Sequence, residues 1–149
     1  MRVQDIMTTA VRSIPSNLGT AAARHTMRSA RVRHLVVVDD GRVIGVLSQR
    51  DLGGTREESL PAGTVQDVMR SHVIVAAPDT TVRTAANLLR GHDIGCLPVV
   101  DGKKLVGIVT TSDLLRLIGQ GVEKPIERTT PWTLKGRAPR RAPVKRAKR

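Results

Sequence analysis

The chain has 149 residues, with 25 Lys and Arg against 13 Asp and Glu and a formal net charge of +12. Phe and Tyr are absent, and Trp132 and Cys96 are each the single residue of their type, so the composition excludes an intramolecular disulfide, a cysteine cluster for zinc and an aromatic platform for base stacking. No apolar run approaches the roughly 18 residues that suggest a membrane span, and the start does not look like a signal peptide; we therefore expect a cytoplasmic protein without membrane insertion.

The positive charge is concentrated at one end. Residues 1–121 hold 15 basic and 11 acidic residues, and residues 122–134 are balanced. Residues 135–149 carry 8 basic residues and no acidic one. We therefore predict a near-neutral folded part followed by a basic tail, 122–149, whose Pro, Ala and basic residues predict disorder.

The first half reads as a strand, a helix, two strands and a helix. Residues 11–14 suit a short strand, and Ala23 and Met27 lie at helical spacing. Two β-branched runs, 35–38 and 43–47, predict strands joined by a tight turn, and a closing helix is predicted to begin near Ser48.

The second half follows the same order after a linker at 58–64. Thr64 and Asp67 have the spacing of a capping box that opens this half. The predicted elements are a strand at 73–75, a helix carrying Val82, Ala85 and Leu89, strands at 97–100 and 105–109, and a closing helix from about Thr110. Asp79 is the predicted N-cap of the middle helix, and Gly91 its predicted C′ residue.

The two halves are copies at a spacing of 62 residues. Roughly 14 of about 50 aligned positions are identical, against about 3 expected by chance. A half of this size exposes too much apolar surface to be stable alone. We predict an α/β (α+β) fold of two β-α-β-β-α repeats with pseudo-two-fold symmetry and two equivalent clefts, divided into domains 1–57 and 65–121.

Three motifs, each present twice in register, resemble the CBS (cystathionine β-synthase) domain family. They are the openings VQDIM and VQDVM, the segments LVVVD and LPVVD, and the closings GVLSQRDL and GIVTTSDL. The resemblance covers 1–118 and implies tandem CBS domains, a stand-alone Bateman module that forms a homodimer. It also implies a regulatory ligand in the clefts, namely AMP, ADP, ATP or S-adenosylmethionine. We expect no enzyme, no catalytic residue, no metal and no cofactor beyond this nucleotide.

The family's ribose and phosphate contacts fall on the closing motifs. The resemblance places ribose on Asp51 and Asp113, and ribose or phosphate on Ser48 and Thr110. A carboxylate can accept hydrogen bonds from both ribose hydroxyls. The alternative interpretation is a Ser/Thr-x-x-Asp capping box, which is compatible with binding because a helix N-terminus favours phosphate.

The resemblance also names phosphate and adenine candidates. Arg33, His34 and Arg50 are the phosphate candidates, and the alternative is a solvated basic edge. The second half has Gly95 and Cys96 where the first has Arg33 and His34, so the two clefts should differ in affinity. The adenine candidates, which would be equally ordinary as core residues, are Ile14, Pro15, Val32, Val75, Ala76 and Ile94.

Two other functions are alternatives to a nucleotide sensor. An enzyme finds little support, because the four histidines share no metal-ligand spacing and no phosphate-cradling Gly-rich loop is present. The second is a dimeric scaffold or nucleic-acid-binding protein acting through residues 135–149, which would contact phosphate backbones without sequence preference. An acidic membrane surface or an acidic patch on a partner protein is a further polyanion that this segment would fit.

Overall fold

The protein is described by a computed structural model over residues 1–120, and it has the predicted mixed α/β fold. The first half contains β1 (Ser13–Ile14), α1 (Thr20–Ala30), β2 (His34–Asp39) and β3 (Arg42–Ser48). The second half contains α2 (Val65–Val68), α3 (Val82–Gly91), β4 (Cys96–Asp101), β5 (Lys104–Thr110) and α4 (Thr111–Gly119). Short 3-10 turns lie at Val3–Asp5, Arg50–Leu52 and Glu57–Ser59.

Each half is organised around one antiparallel hairpin, β2–β3 or β4–β5, as the sequence predicts. Asp40 and Gly41 at the first turn both have positive φ, 50° and 73°, which is the backbone that a two-residue hairpin turn requires. Both hairpins carry a register shift at the same repeat position, after Val37 and after Val99. The repeat therefore preserves even the irregularity of the sheet.

The first strand of each half is shorter than predicted. In the first half the amide of Val11 donates to the carbonyl of Thr9 at 2.9 Å, so it takes no part in the ladder. In the second half 73–75 form no strand, and pairing is limited to a parallel bridge between Ala76 and Val99. In the first half the amide of Val36 donates to the carbonyl of Arg12 at 3.2 Å, but the equivalent residue Pro98 has no amide hydrogen to donate to Ile74.

The helix ends also differ from the predictions. The closing helix of the first half is a single 3-10 turn, because Gly53 and Gly54 both adopt positive φ, 80° and 79°, directly after it. The N-cap of α3 is Thr81, whose hydroxyl accepts from the amide of Thr84 at 3.1 Å, and Asp79 lies too early to cap this helix.

The C-terminal end of α3 lies beyond the predicted residue. The helix runs through Gly91, and Asp93 adopts the left-handed conformation, with φ 50°, that we predicted for Gly91. Arg31 has φ 54° at the equivalent position after α1. The repeat therefore places the left-handed residue two positions further along than expected.

The opening segments of the two halves are exchanged in space. Val3 is fully buried in the core of the second half, and Val65 is fully buried in the core of the first. Paired backbone hydrogen bonds continue the exchange, joining Thr8 to Ile108 and Arg70 to Val46. Burying each valine is worth about 1.5–3 kcal/mol, so each half completes the other's core. The predicted domain boundaries remain a division of the sequence, and the two cores cross them.

Within residues 1–120, none of the helices combines the length and the apolar character that crossing a bilayer would require.

Candidate functional site

A cavity of about 860 Å³ lies between the two halves. This volume is within the range of about 300–1,000 Å³ typical of small-molecule sites. Its main walls are 31–34 and 48–51 from the first half and 93–96 and 110–113 from the second. Each wall segment lies 62 residues from its counterpart, so the duplication has built one cavity with two related sets of walls.

Nine of the predicted site residues line this cavity. They are Ser48, Asp51, Thr110, Asp113, Arg33, His34, Arg50, Val32 and Ile94. The other four adenine candidates do not: Ile14 and Ala76 are buried in the two cores, and Pro15 and Val75 are exposed outside the cavity. The wall at these points is formed instead by residues 10–12 and 72–74. Val11, Val73 and Ile74 are among the apolar side chains that the prediction missed.

Asp51 closes a capping box at the start of the 3-10 turn. Its Oδ2 accepts from the amide of Ser48 at 2.8 Å, while its own amide donates to the Ser48 hydroxyl at 3.2 Å. The second oxygen, Oδ1, lies 3.6 Å from Nε of Arg70, which comes from the exchanged segment of the other half. The side chain of Asp51 remains 13% exposed. One carboxylate oxygen therefore takes part in the capping box, and the other faces a half-exposed cationic partner at the cavity.

Asp113 has the same arrangement at the start of α4. Its Oδ2 accepts from the amide of Thr110 at 2.8 Å and from the Thr110 hydroxyl at 3.0 Å. Oδ1 lies 3.4 Å from the guanidinium of Arg116, one turn further along α4. The side chain is 5% exposed, so Asp113 is the more enclosed of the two. The capping-box interpretation is thus confirmed for both residues, and both still line the cavity.

The two sets of walls differ sharply in charge. Five wall positions are arginine on one side and uncharged or acidic on the other. The pairs are Arg12 and Ile74, Arg31 and Asp93, Arg33 and Gly95, Arg50 and Ser112, and Arg70 and Thr8. Arg12, Arg31 and Arg70 were not among the predicted phosphate candidates, and Arg70 had no signal in the sequence because its segment is exchanged. The other set of walls has one arginine, Arg116, so the excess of cations makes the first side of the cavity the one suited to phosphate.

His34 lies across the boundary between the halves. A Cβ placed on Gly95 would be 2.6 Å from His34 Nε2, so only glycine leaves room for this imidazole. Burial lowers the pKa of His34 and the Arg33 charge lowers it further, while Asp51 opposes them. His34 is therefore neutral at pH 7 and offers a ligand one donor and one acceptor rather than a charge.

Cys96 lines the cavity next to the same carboxylate. Burial, with a further contribution from Asp51, raises the pKa of the thiol to about 12, although Arg70 acts in the opposite direction. A thiol with this pKa is almost entirely protonated at neutral pH and is a poor nucleophile. Cys96 thus contributes a small apolar surface to the wall.

The sequence pattern of the CBS domain matches residues 3–52 and 65–120. Among curated relatives, CBS domain-containing protein YhcV of Bacillus subtilis is 33% identical over 114 residues, which are 75% of this chain and 81% of that protein. Homoserine O-acetyltransferase of Methanococcoides burtonii is 33% identical over 119 residues, 78% of this chain. The match spans only 24% of that protein's length.

Solved structures of similar fold include three with bound adenosine compounds. The CBS domain pair of protein MJ0100, in complex with 5′-methylthioadenosine and S-adenosyl-L-methionine, has a TM-score of 0.72 at 29% identity and covers 80% of this chain and 96% of that one. CBSX2 in complex with AMP has a TM-score of 0.72 at 25% identity, with coverages of 82% and 99%. The cytosolic domain of the Mg²⁺ channel MgtE in complex with ATP has a TM-score of 0.65 at 31% identity, with coverages of 78% and 48%.

Proposed function

This chain belongs to the CBS domain family, and we propose that it is a regulatory module that binds an adenine nucleotide in the cavity between its two halves. The nucleotide is AMP, ADP or ATP, and S-adenosylmethionine is the alternative. The module transmits occupancy to a partner and catalyses no reaction of its own. Because the match to homoserine O-acetyltransferase spans about a quarter of that enzyme, we carry over no catalytic role from it.

The ligands of similar structures support this proposal. Three of the similar structures hold adenosine compounds, namely 5′-methylthioadenosine with S-adenosyl-L-methionine, AMP, and ATP. The chemistry common to these compounds is an adenine base on a ribose, and the substituent at the 5′ position varies. A cavity for this set needs a constant adenosine site and a variable 5′ site.

The paired carboxylates carry the proposal. Asp51 and Asp113 occupy the same place in the two repeats and line one cavity, and each keeps Oδ1 out of the capping box. The adjacent Ser48 and Thr110 hydroxyls add acceptors and donors at the same point. A carboxylate beside a hydroxyl is a suitable receptor for the two hydroxyls of a ribose.

The adenine and phosphate positions follow from the remaining walls. Val32 and Ile94 provide apolar surface on the two sides, and Val11 and Val73 add to it. A purine would lie against these aliphatic groups, since the described part of the chain contains no Phe, Tyr or Trp. Arg70 lies 3.6 Å from Asp51 Oδ1 and Arg50 adjoins Asp51 in sequence, so both are phosphate contacts for a ribose bound at Asp51.

The second set of walls favours a different 5′ group. Asp93 and Gly95 replace Arg31 and Arg33 of the first set, and Asp93 would repel a phosphate. We therefore assign the nucleotide to the Asp51 side and an uncharged or cationic adenosine compound to the Asp113 side. The sulfonium of S-adenosylmethionine carries the complementary charge for Asp93.

Calorimetric titration of the full chain with AMP, ATP and S-adenosylmethionine tests the proposal. Asp51→Asn should weaken the binding of AMP by about 10- to 100-fold, because a hydrogen bond to a charged group contributes about 1.5–3 kcal/mol. Asp113→Asn should leave AMP bound and weaken the second ligand. Asp67→Asn is the matched control, because Asp67 forms an equivalent capping box at 2.8 Å but does not line the cavity.

Three results would contradict the assignment. If the wild-type chain binds none of these compounds at millimolar concentration, the module is not an adenosine sensor. If Asp67→Asn weakens AMP as much as Asp51→Asn does, the effect is one of folding and not of contact. If either substitution alone removes both ligands, the cavity contains one shared site and not two.

We also propose that two copies of the chain associate. Leu115 and Ile118 lie three residues apart on α4, with 63% and 75% of their surface exposed. A second copy placed on this face would cover both side chains. Light scattering should give a dimer for the full chain and a monomer for Ile118→Glu, whereas a concentrated monomeric wild-type chain would refute the association.

A further inference from the structure

A second, smaller cavity lies between α1 and the segment 49–55. Its volume is about 260 Å³, and its lining contains four arginines and no acidic residue. The arginines are Arg24, Arg28, Arg31 and Arg33. Arg28, Arg31 and Arg33 are exposed, and like charges around one open cavity attract an anion.

Arg24 is the most unusual of these residues. It is 7% exposed, and its guanidinium donates to the carbonyls of Leu52 at 2.6 Å, Arg56 at 3.1 Å and Gly54 at 3.3 Å. Within residues 1–120 no carboxylate pairs with it, and its Nε has no hydrogen-bond acceptor. A buried cation held only by carbonyl dipoles is incompletely compensated.

The repeat shows that this charge is not needed to build a CBS half. The position equivalent to Arg24 in the second half is Ala86, and the position equivalent to Arg31 is Asp93. The second half folds with neither cation. The four-arginine cavity is therefore specific to the first half.

Arg28 has an acidic partner that is easily replaced. Its guanidinium lies 3.1 Å from the carboxylate of Glu57, but the two side chains are 52% and 81% exposed. An ion pair this exposed contributes between about 0 and 1 kcal/mol. A more highly charged anion in the cavity would compete successfully with Glu57 for this guanidinium.

We propose that this small cavity binds a phosphate-type anion. The guanidinium fork matches phosphate oxygens in geometry, and a volume of about 260 Å³ accommodates a phosphate or pyrophosphate. The small and large cavities share Arg31, Val32, Arg33 and Gln49 in their linings. The anion is therefore either free pyrophosphate or, if the proposed function holds, the terminal phosphates of a nucleotide whose adenosine lies in the large cavity.

Titration of the full chain with pyrophosphate tests the site directly. Arg28→Gln should weaken the binding of pyrophosphate about tenfold, because one charge-assisted hydrogen bond is lost. Arg90→Gln is the control, since Arg90 is the repeat equivalent of Arg28, is exposed and lies outside both cavities. Both variants lose one positive charge, so any binding to the basic residues 135–149 is affected equally.

Removing the carboxylate of Glu57, which pairs with Arg28, should change the affinity for pyrophosphate in the opposite direction. Glu57→Gln should strengthen pyrophosphate by about two- to fivefold, because Arg28 no longer has to leave a carboxylate. Glu58→Gln changes the net charge identically at an exposed neighbour and should have a smaller effect. A nonspecific attraction would respond alike to the two substitutions.

Nucleotide titrations distinguish the two sources of the anion. If the terminal phosphates occupy the cavity, Arg28→Gln should weaken ATP about tenfold and leave AMP unchanged. If free pyrophosphate is the ligand, the ratio of ATP to AMP affinity should not change, while pyrophosphate itself is weakened. Failure of AMP, ATP and S-adenosylmethionine alike to bind the wild-type chain would overturn the proposed function but not a pyrophosphate result. The cavity proposal is overturned if Arg28→Gln and Arg90→Gln behave alike toward both pyrophosphate and ATP.

Discussion

Replacing Gly45 by Ala tests whether the two halves are joined by their exchanged opening segments. A Cβ at Gly45 would lie 2.5 Å from Sδ and 3.1 Å from Cγ of Met69, and 3.2 Å from the carbonyl oxygen of Arg70. Both neighbours belong to the opening segment of the second half. Gly107 has the same relation to Met7, at 2.5 Å. The glycine of each closing motif is therefore required by the methionine of the opposite opening motif.

The expected cost follows from these contacts. Forcing a methyl group into a packed site costs about 1–3 kcal/mol. For a folded part of 120 residues each kcal/mol lowers the melting temperature by roughly 3–5 °C, between the values for smaller and larger domains. Gly45→Ala should therefore melt about 3–15 °C below wild type by circular dichroism. Gly91→Ala is the control: no atom lies within 4 Å of its new Cβ, and alanine in a helix should be neutral or stabilising by up to about 1 kcal/mol.

A double-mutant cycle identifies the neighbour responsible. Met69→Ala removes the thioether, so Gly45→Ala should cost at least about 1 kcal/mol less on that background than alone. Part of the cost remains, because the Arg70 carbonyl is backbone. If the two effects add to within about 0.5 kcal/mol, the glycine does not contact Met69 and the proposed exchange of segments is wrong.

Three further predictions concern the cavity and the tail. Because its pKa is about 12, Cys96 should resist alkylation at pH 8 in native buffer and react once denatured; rapid stoichiometric labelling would contradict its burial. Burial lowers the pKa of His34 below 6.5, so the unfolded chain binds more protons than the folded chain, and stability should fall as pH drops through 6.5 toward the folded-state pKa. His34→Gln should therefore make the melting temperature depend less on pH between pH 7.5 and 5.5. An unchanged pH dependence would exclude His34 as the cause. Residues 135–149 lie outside the described residues, and their predicted affinity for nucleic acid stays a prediction. A chain ending at Gly121 should keep its melting temperature but lose DNA binding, whose log–log dependence on salt has a slope of magnitude up to about 7. Equal DNA binding by both chains would place the site within residues 1–121.

The repeat made most of the fold predictable. Two hairpins, two middle helices and the capping boxes follow from local patterns that occur twice, and duplicated evidence excludes most accidental matches. The exchange of the opening segments could not be predicted in this way. Val3 and Val65 have the same neighbours in sequence whichever core they enter, so a pattern along the chain does not distinguish the two arrangements.

The sequence predicts the cavity-lining residues that belong to a motif, but not those whose position depends on how strands and segments pair. Asp51 and Asp113 are fixed by their capping boxes, so the motif alone placed them. Ile14 was assigned to the adenine site, but its pairing with Val37 places it in the first core. Arg70 was missed because it reaches Asp51 only through the exchange of segments.

The way in which the two repeats differ itself argues for function. Among the wall positions, the shared features are the carboxylate, a neighbouring hydroxyl and aliphatic residues, as in Asp51 and Asp113. The features that differ are the arginines, which are replaced on the other side by residues such as Asp93. Positions that the fold requires, including Gly45 and Gly107, are kept in both repeats. The wall residues that both repeats share suit an adenosine, and the wall residues that differ suit its 5′ substituent. Divergence after duplication would therefore change which adenosine compound each side binds without changing the fold.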